Sequence, residues 1–152
     1  MNASLTRLFA VSQKDPRTII GLMSGTSLDG LDVALCDISG SGIGTRVRLR
    51  QFDTVPYTPE IKQHIRAVFA KSTVDFQLLT VLNAWIGRLH GAMVLDCLRR
   101  WNVPTAAVDV VASHGQTVFH APKILHGRAD FPNATLQIGD GDHVAVTTAI
   151  IT

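Results

Sequence analysis

Cysteine is scarce in this chain of 152 residues, which has Cys36 and Cys97 and no others. The two lie far apart in apolar surroundings without C-x-x-C spacing. That excludes a disulfide framework and points to buried free thiols in a reducing compartment. Long apolar runs are also missing. None approaches membrane-spanning length, and the patch Leu8-Phe9-Ala10-Val11 is too short for a signal-peptide core, so the expected location is the cytoplasm, away from membranes. A basic stripe with interleaved aromatics is absent too, although the net charge is +2 and the pI near 8.8. Arg46-Val47-Arg48-Leu49-Arg50 alternates like the solvent face of a strand, and Arg99-Arg100 closes a helical run, so a nucleic-acid partner is not expected. There is no G-x-S-x-G elbow for a serine hydrolase and no G-x-G-x-x-G. His114, His120, His126 and His143, spaced by six, six and seventeen residues, match no compact zinc pattern. Internal repeats and low-complexity tracts are absent.

What remains is a chain that is 46% hydrophobic, enough for one domain with one core. Apolar runs from Thr18 to Met23 and from Leu31 to Ile38 predict two strands joined as a hairpin. After the flexible Ser39–Gly44 turn, Arg46 to Tyr57 alternates as a third strand. Thr58-Pro59-Glu60 is a helix start, with Thr as N-cap and Pro at the first helical position. Leu78, Leu82, Trp85, Ile86, Leu89, Met93 and Leu98 recur at helical spacing and predict a long helix from about Thr73 to Trp101. His90 and Asp96 fall within it and read as face or boundary residues. Val108 to Ala112 predicts a buried strand ending in a polar loop, Ser113 to Thr117. Thr135 to Ile138 is another strand, and His143 to Ala149 begins a helix. Three strands followed by alternating helices and strands predict an α/β domain with a mixed sheet covered by helices.

Three polar clusters sit at the predicted strand ends, where ligands bind in such folds. The first, Ser24-Gly25-Thr26-Ser27-Leu28-Asp29-Gly30-Leu31-Asp32, offers backbone N–H groups and small hydroxyls suited to a phosphate chain, with carboxylates suited to hydrated Mg²⁺. It lacks the lysine of a Walker A loop, and the same residue types compose ordinary tight turns, so both readings stand on spacing alone. The second, Ser113-His114-Gly115-Gln116-Thr117, reads either as a sugar or phosphate contact through His114 and Gln116, or as a polar loop whose histidine caps nearby backbone. In the third, Gly139-Asp140-Gly141-Asp142, Asp140 orients a ligand or caps the helix that follows. No glutamate follows at calcium-loop spacing.

Taken together, Gly21 to Asp32, Ser113-His114-Gly115-Gln116-Thr117-Val118-Phe119-His120-Ala121-Pro122, and Thr135-Leu136-Gln137-Ile138-Gly139-Asp140 resemble the anhydro-N-acetylmuramic acid kinase family. The resemblance covers the chain from Thr18 onward. It implies a ribonuclease-H-like domain of the actin-like ATPase and sugar-kinase superfamily over residues 18–152, preceded by an N-terminal extension, 1–17. It implies an activity as well: Mg-ATP and water open the 1,6-anhydro bridge while the sugar is phosphorylated, giving N-acetylmuramic acid 6-phosphate and ADP in cell-wall recycling. By that resemblance Gly25, Thr26, Ser27, Leu28, Asp29, Gly30, Leu31 and Asp32 bind the nucleotide, with Mg²⁺ carried by ATP near Asp29. His114, Gln116 and Asp140 lie on the sugar side. Family members are more than twice this length, and their catalytic aspartate belongs to a D-F-R-x-x-D segment that would follow Thr152, so these 152 residues alone are expected to be inactive. Thr147 stands where an arginine is frequent, and Ala149 where glycine is usual. Two other readings stay open, a non-catalytic nucleotide-binding or homodimerising module and another sugar kinase of the superfamily.

Overall fold

The computed structural model describes residues 3–152. Ile20 and Leu22 alternate with less buried neighbours, as do Leu31, Val33 and Leu35, and a period of two puts all five on one face of a hairpin. Strand β1 (Arg17–Ser24) pairs antiparallel with β2 (Gly30–Ser39), and β2 pairs antiparallel with β3 (Arg46–Pro56). Strand β4 (Val110–Ala121) returns parallel to β1, and β5 (Ala134–Ile138) closes the sheet antiparallel to β4. The order is β3-β2-β1-β4-β5, a mixed five-stranded sheet as expected. Edge strand β3 points Arg48 and Arg50 at the buried Asp37 of β2, and the Arg48 guanidinium holds that carboxyl below the usual carboxylate range. Arginines along this edge also discourage pairing with another chain.

Helices cover the core face. Helix α2 (Pro59–Arg66) is capped by Thr58, whose hydroxyl accepts from Ile61 N at 3.4 Å. Helix α3 (Phe76–Arg100) starts three residues later than its periodicity predicts, because the Asp75 carboxylate caps it by accepting from Leu78 N at 3.0 Å. Among the described residues, α3 is long and apolar enough by composition to cross a bilayer, which the sequence reading did not anticipate. It packs here as a core helix: Leu82, Ile86, Val94, Cys97 and Leu98 join Ile20, Leu31, Leu35 and Ile65 in one cluster. Its exposed large apolar side chains are Phe76, Val81 and Trp85.

Two of its glycines let the last helix come close. An added Cβ on Gly87 would lie 2.4 Å from the Asp140 carbonyl oxygen, and one on Gly91 would lie 2.7 Å from Thr147 Cβ. Helix α5 (Gly141–Thr148) docks into that seam and ends at Ala149, whose φ of 58° is the left-handed conformation that favours glycine. Ala149→Gly is therefore expected to stabilise the fold by about 1 kcal/mol, read as a raised urea midpoint.

Three local features lie outside the predicted elements. Residues 3–12 form a helix, α1 (Ala3–Ser12), within the 1–17 segment, whose Met1 and Asn2 lie outside the described residues. Lys14 Nζ ties that segment to Asp109 at 2.6 Å, and Asp109 also accepts from Thr18 N at 2.8 Å. Ser113 to Ala121 continues β4 instead of opening into a loop, because Gln116 and Thr117 are buried, both ends of the Gln116 amide are hydrogen-bonded, and irregularities in register absorb the bend. Lys123–His126 adds one helical turn, α4, ended by Gly127 at φ 65°.

Candidate functional site

The hairpin turn lies where β1 leaves the core. Leu28 anchors it, with its side chain buried at a φ of 55°. Ser27 Oγ donates to Asp29 Oδ1 at 2.6 Å and Gly30 N donates to the same oxygen at 3.0 Å. The Ser27 hydroxyl holds the Asp29 carboxyl below the ordinary carboxylate range, so it is ionised at neutral pH. Thr26, Ser27 and Asp29 are exposed, and Gly25 and Asp32 are half-buried. Leu28, Gly30 and Leu31, expected among the nucleotide residues, are buried, so their side of the turn contributes shape and backbone only.

Beneath the turn runs a sealed polar chain. Ser24 Oγ lies 2.6 Å from Gln116 Oε1 and 2.7 Å from the Tyr57 hydroxyl, which lies 2.7 Å from His90 Nε2. Gln116 Nε2 donates to the carbonyls of Gly25 at 2.9 Å and Thr117 at 2.8 Å. Ser24, Gln116 and His90 are fully buried and Tyr57 nearly so. Burial pushes the Tyr57 hydroxyl up to about 12 and the His90 imidazole down to about 4. Gln116, expected to face the sugar, is thus turned inward with both ends of its amide engaged, and it holds Gly25 in place. His90 is no boundary residue. The signal that would have found it was present: it falls in the apolar stripe of Ile86, Met93, Val94 and Cys97, where a histidine needs a buried partner.

The other face of the sheet is open. Ala34, Gly21 and Ala112 pair across three strands as a floor of small residues, beside Met23, Asp32, Phe52 and His114, around a hollow of about 570 Å³. Asp32, held by the Thr54 hydroxyl at 2.6 Å, and His114 are brought to this one hollow from separate strands. His114 also borders a smaller hollow of about 260 Å³ with Gly115, Gly139, Gly141 and Thr152. The buried Ser113 hydroxyl has no partner beside it. Asp140 stands between those two glycines and caps α5, accepting from Asp142 N at 2.9 Å.

The hollow shared by Asp32 and His114 and the smaller one shared by His114 and Gly139 bring the three sequence motifs together in space. The family model described as anhydro-N-acetylmuramic acid kinase matches residues 17–152. The chain belongs to the anhydro-N-acetylmuramic acid kinase family. Curated relatives agree. The protein named anhydro-N-acetylmuramic acid kinase of Pseudoalteromonas atlantica is 55% identical over all 152 residues, and its namesake in Pseudoalteromonas translucida is 51% identical over the same span. The one from Caldanaerobacter subterraneus is 33% identical over 148 residues, 97% of this chain. The chain spans 38% of the length of the first two relatives and 37% of the third.

For a member of the anhydro-N-acetylmuramic acid kinase family, the donor set bears on how Mg²⁺ would be held. Among the described residues no group of three or more His, Cys, Asp or Glu side chains could hold an ion. Asp29 offers one exposed, ionised carboxylate next to hydroxyls. That suits an ion that keeps most of its waters and rides on nucleotide phosphates.

Proposed function

We propose that this chain is the nucleotide-phosphate domain of an anhydro-N-acetylmuramic acid kinase, acting in the cytoplasm in cell-wall recycling. The observation that carries the reading is the turn itself. Gly25–Asp29 presents backbone, two hydroxyls and an ionised carboxylate outward, while its inner side is locked by Leu28 and Gln116. In the reaction the γ-phosphoryl group of ATP passes to O6 of the 1,6-anhydro sugar. Water adds to C1, the C1–O6 bond breaks, and the water's second proton goes to a base, leaving the 6-phosphate and ADP.

Phosphoryl transfer rests on position and charge neutralisation, and this chain's residues supply the positioning. Thr26, Ser27 and the turn amides hold the phosphates. Asp29 would hold the Mg²⁺ hydration shell, the ion supplying positive charge to the transferring group. Asp32 is grouped with the nucleotide side, and His114 and Asp140 with the acceptor side. Gln116 acts through Gly25. The water-activating carboxylate is the aspartate that the family resemblance places after Thr152, so the 152-residue chain by itself is expected to release no ADP from ATP and anhydro sugar. Asp29→Asn is expected to weaken Mg-ATP binding to this chain about tenfold by calorimetry, the size of one lost charge-assisted contact. Unchanged affinity in that variant, or no Mg-ATP binding by the unaltered chain, counts against the reading.

A further inference from the structure

The inference drawn from the sealed chain rests on the phosphate-turn reading and goes beyond it. We propose that His90 is a positioning residue: through Tyr57, Ser24 and Gln116 it sets the orientation of the Gly25–Thr26 peptide, so that the Thr26 N–H faces outward toward an anionic ligand.

The direction of every proton follows from counting donors. Gln116 Nε2 donates to two carbonyls, Gly25 at 2.9 Å and Thr117 at 2.8 Å, so its amide cannot be flipped without setting an oxygen against oxygens. Gln116 Oε1 is then an acceptor, and Ser24 spends its one proton on it at 2.6 Å. The Gly30 carbonyl, 3.1 Å from Ser24 Oγ, shares that proton as the longer branch. The Tyr57 proton must go to Ser24 at 2.7 Å, because Ser24 has none left to give. Tyr57 therefore accepts from His90, which must carry its proton on Nε2, 2.7 Å away. The other ring nitrogen, Nδ1, is left bare and is buried without a hydrogen-bond partner. A second proton there would find no acceptor, in keeping with an imidazole held far below its usual pKa by burial.

The chain ends at the Gly25 carbonyl, and there its effect changes direction. In a planar trans peptide the C=O and the following N–H point opposite ways. Pulling the Gly25 oxygen inward onto Gln116 turns the Thr26 N–H outward, on the side where Thr26 and Ser27 are exposed. An outward amide beside two hydroxyls is the arrangement that anion-binding turns use. His90 touches no ligand. It acts by fixing one peptide plane, four hydrogen bonds away.

The test uses the 152-residue chain and four proteins: unaltered, Tyr57→Phe, His90→Leu, and His90→Gln, whose amide nitrogen stands in for the Nε2 donor. Nitrogen-15 NMR of the unaltered chain is expected to show His90 protonated on Nε2 alone; a proton on Nδ1 overturns the proposed direction. In Tyr57→Phe and His90→Leu the backbone order parameters of Thr26 and Ser27 are expected to fall below about 0.6 while those of Val33 and Leu35 stay near 0.85, with His90→Gln close to the unaltered chain. Uniform loosening of the sheet, or equal behaviour of His90→Leu and His90→Gln, assigns His90 a merely structural role and rejects the proposal. If Tyr57→Phe fails to fold, the tautomer and the His90 pair decide; if a His90 variant fails, the tautomer and Tyr57→Phe decide. Mg-ATP affinity is expected to drop at least tenfold in Tyr57→Phe and His90→Leu and to return to within about threefold in His90→Gln. Should the unaltered chain bind no Mg-ATP, the phosphate reading fails, while the NMR results still judge the positioning role.

Discussion

Gly30→Ala is expected to lower folding stability by about 3 kcal/mol, the upper range for overpacking a rigid site. An added Cβ would lie 2.3 Å from the Val55 carbonyl oxygen, 2.9 Å from its carbon and 3.0 Å from Pro56 Cα. All three are backbone atoms of the neighbouring strand, so no side chain can swing aside and β3 itself must move. The displacement falls beside the site, because Tyr57 N donates to the Asp29 carbonyl at 2.9 Å, directly after the strand that is pushed away. For a domain held by roughly 5–15 kcal/mol, with a urea slope of about 1–3 kcal/mol per molar, the unfolding midpoint should fall by about 1 M or more. Gly21→Ala is the control. A Cβ on Gly21 meets nothing within 4 Å, and its midpoint should stay level or rise slightly. Equal midpoints for the two variants would show that β3 yields freely.

Acidification is expected to cost about 3 kcal/mol between pH 6.5 and pH 4 through His90 alone. A histidine in an unfolded chain titrates near 6.5. In the fold, burial holds the His90 imidazole at about 4. Above pH 6.5 both states carry it neutral and its contribution is constant. As pH falls below 6.5 the unfolded state takes up the proton and the folded state does not, so stability drops until pH 4. A difference of about 2.5 units, at 1.36 kcal/mol each, sets the size. His90 is fully buried, so water does not screen the effect. Tyr57, the titratable group bonded to it, is held near 12 and stays neutral throughout. The paired Asp37, held low by Arg48, works in the same sense but at still lower pH. Urea unfolding at intervals from pH 7 to 4 should show this slope, and His90→Gln should flatten it. A variant that keeps the slope would assign the acid loss to the carboxylates and remove His90 from the account.

Much of this arrangement can be read in the chain before it folds. Period-two apolar residues mark β1 and β2, Thr58-Pro59 marks the start of α2, and Asp140 marks the cap of α5, because each signal is local and its partner lies within a few residues. The departure at Ala149 was equally legible, since one residue type at one φ explains it. What escaped depends on distant partners. Ser113 to Thr117 looks like a loop because it is polar, and it is strand because Gln116 finds Ser24 ninety-two positions away. The stripe of Ile86, Met93, Val94 and Cys97 marks His90 as buried, but its partner Tyr57 lies 33 positions away and no local pattern names it. Helix α1 has a weak apolar stripe, and the contacts that tie its segment down are distant, Arg7 donating to the Ala149 carbonyl and Lys14 pairing with Asp109, so no local pattern announces them. The hollow joining Asp32 to His114 is a product of the parallel return of β4, which the motifs imply and the spacing cannot measure.

The same distances order the assembly of the molecule in time. Strands β1 to β3 close through short turns. Tyr57 reaches Ser24 across 33 positions and Gln116 across 92, and loop entropy makes the longer closure about 1 kcal/mol harder. Gln116 arrives only with β4, docked parallel on β1, a slow kind of pairing. The Gly25 peptide is thus among the last groups to be set. On the function proposed above, a nucleotide bound at this turn would recognise a chain that has finished folding, and by mass action would hold it there.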